Sequence, residues 1–166
     1  MSPRTKHARS ASLPWACALL AALLGARAHA DVSSCTISAS GVAFGTYTPA
    51  TPATLTGTGT INLTCTVTTK KSTVTIDLST GSSGSYATRT LRSGTDVLNY
   101  NLYLDAADTQ VWGDGTGGSL EDTVPIIAHG NGSQASATFT IYGAVAALQD
   151  PAPGSYTDTI TVTVNF

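Results

Sequence analysis

Few side chains in this sequence have a type and spacing that could do chemistry. Asp105 and Asp108 lie close together, as the paired carboxyl groups of a glycoside hydrolase must do in space. His129 stands in the segment IIAHGNGS, for which a solvated loop is predicted, and the chain has no G-x-S-x-G nucleophile elbow. Nothing distinguishes the two aspartates from ordinary loop charges. We therefore expect a protein that is not an enzyme.

The segment WGDGTGGSLED, residues 112–122, combines acidic oxygens with glycines. Asp114, Glu121 and Asp122 offer carboxylates to a cation, but their spacing fits no EF-hand loop. Gly-Asp-Gly is also ordinary turn chemistry. A structural turn is the favoured interpretation and a cation site is the alternative. No cofactor is expected.

The start of the chain has the layout of a secretory signal peptide. A basic opening precedes an apolar run over residues 13–25, and Ala-His-Ala at 28–30 matches a cleavage site. The apolar run is too short to span a bilayer, and no later stretch is long enough. We expect residues 1–30 to be removed and residues 31–166 to form one domain. The product would pass through the periplasm to the cell surface.

Cleavage at Ala30 would change the charge of the chain. Four basic residues would remain against ten acidic residues, a net charge of about −6. Four scattered cations cannot form the basic surface that binds a phosphate backbone. No nucleic-acid partner is expected.

Two cysteines would survive cleavage, Cys35 and Cys65, while Cys17 lies in the predicted signal peptide. In an exported protein such a pair favours a disulfide. Two thiols alone make a poor metal site, and no C-x-x-C spacing indicates redox catalysis. We therefore predict a disulfide between Cys35 and Cys65 and no metal ligands.

Threonine dominates the predicted mature chain, with 27 of its 136 residues. Because threonine is β-branched, it fits a pleated surface better than a helix. Apolar and polar residues alternate within short segments, and these segments recur at the spacing typical of a β-sandwich. This predicts an all-β domain of two sheets around one core. The alternating segments are residues 35–39, 57–69, 72–79, 91–105, 137–145 and 159–166, with a short strand in QVWGDGTGGS.

Several short motifs occur in order along the chain. They are Cys35 with its following strand, Phe44-Gly45-x-Tyr47, Gly59 with Cys65, Arg89, Leu98-x-Tyr100-x-Leu102-Tyr103, Trp112-Gly113-Asp114-Gly115, Tyr142-Gly143, and Gly154-x-Tyr156-x-Asp158 with Phe166. In this order and spacing they resemble the spore coat protein U domain family, shared with the subunits of archaic, Csu-type chaperone–usher pili. The resemblance implies an immunoglobulin-like β-sandwich that lacks its last strand.

The same resemblance implies how the missing strand is supplied. A periplasmic chaperone lends a strand first, and a neighbouring pilin-like subunit replaces it after delivery to an outer-membrane usher. The expected floor of the partner-strand groove is the apolar face of the last segment, formed by Ile160, Val162, Val164 and Phe166. The chain would then be a structural subunit of a pilus or of a spore or cell-surface coat.

The segment ahead of Cys35 departs from the family pattern. A polymerising subunit carries a donor segment of about a dozen residues there, whereas residues 31–34 span only about 13 Å when extended. This predicts a subunit that accepts a strand and donates none, and so a terminal or tip position in a fibre. Known tip adhesins of this pilus type have two domains.

A second interpretation is an adhesin-like binding module. Such a module would recognise a surface or a glycan through exposed apolar or aromatic loops rather than through a groove. Trp112 is the candidate surface contact in this interpretation, where it and the tyrosines would form a sugar-stacking surface. Packing in the core or at its edge is the favoured interpretation for these side chains.

Overall fold

Two antiparallel sheets pack around one core in the computed structural model, which describes residues 32–68, 71–127 and 132–166. A 3-10 helix also occurs at Gly81–Ser83. The strands are β1 (Val32–Ser40), β2 (Leu55–Val67), β3 (Lys71–Leu78), β4 (Arg89–Ser93), β5 (Asp96–Tyr103), β6 (Asp122–Ile127), β7 (Ser133–Val145) and β8 (Val162–Asn165). The predicted all-β, immunoglobulin-like sandwich is confirmed.

The larger sheet has the order β1-β2-β7-β5-β4. Strands β2 and β7 are paired along their whole length, from Leu55 opposite Val145 to Val67 opposite Ser133. Alternation decides which side chains enter the core. The inward residues of β2 are fully buried from Ile61 to Val67, while its threonines point outward.

The smaller sheet has the order β6-β3-β8. Val74, Ile76 and Leu78 of β3 are fully buried against the inward residues of β2. These side chains share one apolar cluster, which holds the two sheets together through burial of apolar surface.

Strand β6 was not predicted from the sequence, which indicated a loop around IIAHGNGS. Pro125 lies within it opposite Thr73, and the strand is at the edge of the three-stranded sheet, where a missing N–H is tolerated. Its last residue, Ile127, is 63 % exposed. His129 lies outside the described residues.

The last strand is shorter than predicted. It begins at Val162 rather than at residue 159. Just before Val162, a hydrogen bond to a side chain replaces one of the main-chain hydrogen bonds that would extend the strand. The Ser79 N–H donates to the Thr161 carbonyl at 2.9 Å, but the Thr161 N–H donates to the Ser79 hydroxyl instead of to a carbonyl.

The predicted disulfide is confirmed. Cys35 and Cys65 are directly opposite each other in the pairing of β1 with β2, and their sulfur atoms are bonded. The bond therefore fixes the edge strand of the larger sheet to its neighbour.

The favoured prediction that Trp112 packs in the core is confirmed, and the alternative of a surface contact is wrong. Its side chain is fully buried, and the indole Nε1–H donates to the Ile76 carbonyl at 2.9 Å. The ring packs against Phe139 with a centroid separation of 6.3 Å. QVWGDGTGGS forms isolated bridges, such as Trp112 with Leu120, rather than the predicted strand.

Candidate partner-strand groove

Strand β1 is an end strand of the larger sheet and β8 an end strand of the smaller sheet, and Ala39 of β1 and Val162 of β8 line the same cavity. Within residues 32–68, 71–127 and 132–166, β1 pairs with β2 and β8 pairs with β3, and each leaves its other edge unpaired. Unpaired N–H and C=O groups of this kind form a template for a further strand.

The inner face of β1 is poorly covered at Ile37. Ile37 lies opposite Leu63 in the register, so both side chains point to the same face of the sheet. Leu63 is fully buried, whereas Ile37 is 43 % exposed. Cover along β1 is uneven, since Val32 at the start of the strand is only 2 % exposed.

The last segment presents its apolar face to the same space. Ile160, Val162 and Val164 are half-buried and pack against the core, while the residues between them are exposed. Phe166 is 59 % exposed and does not belong to this packed set. The structure thus brings together three of the four predicted groove residues.

A groove of about 280 Å³ lies between the two edges. Ala39 and Val42 border one side and Ile160 and Val162 the other, with Leu78 among the residues of the floor. A wider cleft of about 750 Å³ continues from it past Phe44 to the segment of residues 151–158. The two cavities share Val42, Phe44, Leu91 and Asp158.

Glycines let the chain after β1 cross the sheet closely enough to border this groove. A Cβ atom at Gly143 would meet the Phe44 ring at 2.8 Å, and one at Gly59 would meet the Ser40 carbonyl at 2.7 Å. The close approach places Phe44 edge-on against Tyr100, with ring centroids 5.8 Å apart. These glycines therefore have a steric role in shaping the groove wall.

Asp158 anchors the segment that leads into β8. Its carboxylate accepts from the Tyr100 hydroxyl at 2.7 Å and from the Ser82 N–H at 2.9 Å. Burial, and then the bond to Asp158, raises the pKa of Tyr100, so the phenol stays protonated and remains a donor. From the sequence alone, Asp158 was predicted only as part of a motif and not as a residue of the groove.

Arg89 is a buried cation that the sequence reasoning also left without a role. Its guanidinium donates to the carbonyls of Ser79 and Trp112, at 2.7–3.0 Å, and to Asn101 Oδ1 at 2.6 Å. It also lies 5.2 Å from the centre of the Tyr86 ring. Burial lowers the pKa of Arg89, but it donates to three neutral groups that fix its position.

Asp105 and Asp114, two of the acidic residues considered for catalysis or cation binding, accept hydrogen bonds within their own turns. Asp105 accepts from the Thr109 hydroxyl at 2.7 Å and from the Gln110 N–H at 2.8 Å, and the Thr109 bond is the main cause of its lowered pKa. Asp114 accepts from both the N–H and the hydroxyl of Thr116. In the described ranges no group of three or more His, Cys, Asp or Glu side chains is arranged to hold a metal.

No helix within the described part of the chain is both long and apolar enough to cross a bilayer.

Comparison with known proteins places this fold in a family. The sequence profile of the Spore Coat Protein U domain matches residues 20–163, starting ahead of the predicted cleavage point. The curated Protein U of Myxococcus xanthus is 33 % identical over 136 residues, which cover 74 % of this chain and 70 % of that protein.

A solved structure shows the same fold. It is a chain of the CsuC–CsuE chaperone–tip adhesion subunit pre-assembly complex, from the archaic chaperone-usher Csu pili of Acinetobacter baumannii. The TM-score is 0.53 with 21 % identity, and the match covers 80 % of this chain but only 40 % of that chain's length. With the profile match over most of the sequence, this chain belongs to the Spore Coat Protein U domain family.

Proposed function

We propose that this chain is a structural subunit of a surface assembly, an archaic chaperone–usher pilus or a spore or cell-surface coat, and that it accepts a strand from a partner molecule. The observation that carries the proposal is the pair of unpaired edges, β1 and β8, on either side of an apolar groove. A strand laid there would cover Ile37 and would complete the burial of Val162. Main-chain hydrogen bonds would supply affinity, and alternate side chains would supply specificity.

The partners follow from this mode of binding. A periplasmic chaperone would hold the groove during transit, an outer-membrane usher would direct assembly, and another pilin-like subunit would provide the final strand. The family membership and the fold shared with a chain of a chaperone–subunit complex support this set. The same scheme places the finished protein outside the cell, after export through a signal peptide cleaved near Ala30.

Matched variants on β8 test the groove. Val162 faces the groove, whereas its neighbour Thr163 is exposed on the other face of the same strand. The full chain is produced in the periplasm together with an archaic-type chaperone. We expect parent and Thr163→Lys to be recovered as a one-to-one complex, and Val162→Lys to lose at least nine-tenths of that recovery, since it places a charge where an apolar face must be buried.

Hydrogen exchange of the isolated protein provides a readout that does not depend on the choice of chaperone. The edge amides of β8 should exchange rapidly in the free subunit and slowly in the complex. An isolated protein that is a stable monomer with β8 already protected along both edges would overturn the proposal.

We further propose that the subunit donates no strand. Val32 is buried and opposite Val67, so the residues ahead of Cys35 already belong to β1 of their own sheet. Mass determination of the N-terminus of the exported protein, followed by a fibre-extension assay, tests this. A terminal position predicts an N-terminus near residue 31 and no self-polymerisation, while fibres formed by this chain alone through its N-terminus would contradict it.

In the adhesin-like interpretation Trp112 cannot contact a surface or a glycan, because that side chain is buried. Recognition of a surface would have to use other residues.

A further inference from the structure

The outer face of the larger sheet has an unusual distribution of charge. None of the residues of β1, β2 and β7 is charged, although the chain carries 18 acidic and basic residues. The smaller sheet, by contrast, includes Lys71, Asp77 and Asp122. A neutral face of three strands does not attract a polyanion or a polycation.

Polar side chains form regular rows across this face. Strand register aligns the rows Thr36–Thr64–Ser136 and Ser38–Asn62–Thr138. All six side chains lie outward and are exposed or half-buried. We call the outward side chains of β1, β2 and β7 the hydroxyl face.

The polar groups of the hydroxyl face are held in place by one another. The hydroxyls of Thr64 and Ser136 lie 2.9 Å apart, and the Thr138 hydroxyl donates to Asn62 Oδ1 at 2.9 Å. Each hydroxyl in such a pair keeps a lone pair for a further contact. Because the neighbours already restrict their rotation, less conformational entropy is lost when a ligand binds.

A small depression continues the hydroxyl face at its β5 side. It has a volume of about 280 Å³, and Asn99, Tyr103, Asp108 and Ala144 are among its lining residues. Tyr103 lies directly opposite Tyr142 in the register of β5 with β7, and both rings are half-buried on the outer side. The alanine gives a shallow floor, and the tyrosine ring gives an apolar wall with a polar rim.

The phenol of Tyr103 is uncharged at ordinary pH. Burial, followed by the nearby Asp108 carboxylate, raises its pKa. Asp108 itself offers carboxylate oxygens that accept from hydroxyl donors.

We propose that the hydroxyl face, with the depression at Tyr103, binds a neutral polysaccharide. A polysaccharide chain presents many hydroxyls and no charge, which matches rows of exposed Thr, Ser and Asn side chains. A sugar ring in the depression would place its C–H face against Tyr103 and a hydroxyl towards Asp108. A second protein copy fits the face less well, because dimer interfaces bury an apolar centre that these rows lack. The proposal is independent of the groove between β1 and β8.

Retention on microcrystalline cellulose tests the proposal, with the soluble neutral glucan dextran as competitor and anionic alginate as charged control. The protein is purified after export of the full chain. We expect retention on cellulose that is equal at 0.1 and 0.5 M NaCl, because no charge pair contributes to it. We also expect competition by dextran and none by alginate.

Two variants and one matched control locate the site. Tyr103→Ala should weaken retention at least tenfold, and Thr138→Lys should weaken it at least fivefold by placing a charge among the rows. Thr123→Lys is the control, since Thr123 lies on the outer side of the smaller sheet, where its hydroxyl is 3.1 Å from that of Thr75. It should bind as the parent does, and all variants should keep the parent's thermal unfolding midpoint.

Several results would overturn the proposal. These are no retention of the parent on cellulose, retention that disappears at 0.5 M NaCl, or equal loss in Thr138→Lys and Thr123→Lys. A parent that sediments as a dimer and a Thr138→Lys variant that sediments as a monomer would assign the face to self-association instead.

Discussion

At the scale of single residues, one buried charged side chain has hydrogen-bond partners that compensate for its burial, and one half-buried charged side chain does not. Arg89 is fully buried, yet its donors reach two carbonyls and one amide oxygen. Asp122 is half-buried at the start of β6, and burial alone raises the pKa of its carboxyl. Hydrogen bonds compensate for the burial of the Arg89 charge, whereas an ionised Asp122 carboxylate lowers the stability of the folded protein.

We predict that Arg89→Lys destabilises the domain by about 2–4 kcal/mol, because an ammonium cannot reach all three acceptors and leaves buried carbonyls unpaired. Chemical denaturation measures the change. Arg92→Lys is the control, since Arg92 is exposed on the same strand, and it should change stability by less than about 0.5 kcal/mol. Equal effects at the two positions would contradict this role for Arg89.

Asp122→Asn tests the effect of pH. Because the folded protein holds the Asp122 proton more tightly than the unfolded chain does, ionisation reduces stability as pH rises from the ordinary value of 3.8 through the raised one. The variant lacks this penalty. It should therefore be more stable than the parent at pH 7 and equal to it at pH 3, as measured by urea unfolding. A gain of the same size at both pH values would show that ionisation is not the cause.

At the scale of elements, close contact between a crossing segment and the sheet beneath it shapes the groove wall. Residues 40–44 pass over Gly57, Gly59 and Gly143, and Phe44 reaches Tyr100 as a result. On the other side, Asp158 binds β5 through Tyr100 and so sets where the last segment starts. Both walls of the groove are therefore attached to β5 through one tyrosine.

Gly143→Ala should destabilise the domain by about 1–3 kcal/mol, since the added methyl group meets the Phe44 ring and forces a packed segment to move. Gly41→Ala is the control, because a Cβ atom at Gly41 meets nothing within 4 Å. Thermal and denaturant unfolding report the change. A neutral Gly143→Ala would mean that the crossing segment is not tightly held.

Alternation in the sequence predicted β2, β3 and β7 well, because each buries one face and exposes the other. Residues 91–105, predicted as one segment, instead form parts of two strands, β4 and β5, with a turn at residues 94–95. Alternation missed β6, where Pro125 and the exposed Ile127 hide the period of two. Core or edge packing was the favoured prediction for Trp112 and is confirmed, but no local pattern contains the hydrogen bond from its indole to the distant carbonyl of Ile76. The facing wall of the groove likewise depends on how β1 lies relative to β8, which no local pattern contains.

At the scale of the whole molecule, the two sheets are of unequal width. Five strands face three, and on the inner side of β1 Ile37 is left 43 % exposed. At this side the covalent link between Cys35 and Cys65 restrains the chain over a separation of 30 residues.

The double variant Cys35→Ala with Cys65→Ala should lose about 3–4 kcal/mol of unfolding free energy in the chain-entropy account of a loop of this length. Guanidinium unfolding measures the loss. The parent treated with a reducing agent should show the same midpoint as the untreated variant. A parent that is insensitive to reduction, with a variant of equal stability, would contradict the prediction.

The position of the disulfide also implies that oxidation of the two cysteines precedes assembly. Cys35 lies in β1, the strand whose residues Ala39 and Ser40 line the groove, and its bond to Cys65 ties that strand to β2. In the proposed assembly, a subunit whose thiols are still reduced would hold β1 less firmly at the groove. A partner strand would therefore bind it more weakly. Entry into an oxidising compartment would thus act as a checkpoint, admitting only crosslinked molecules to the growing structure.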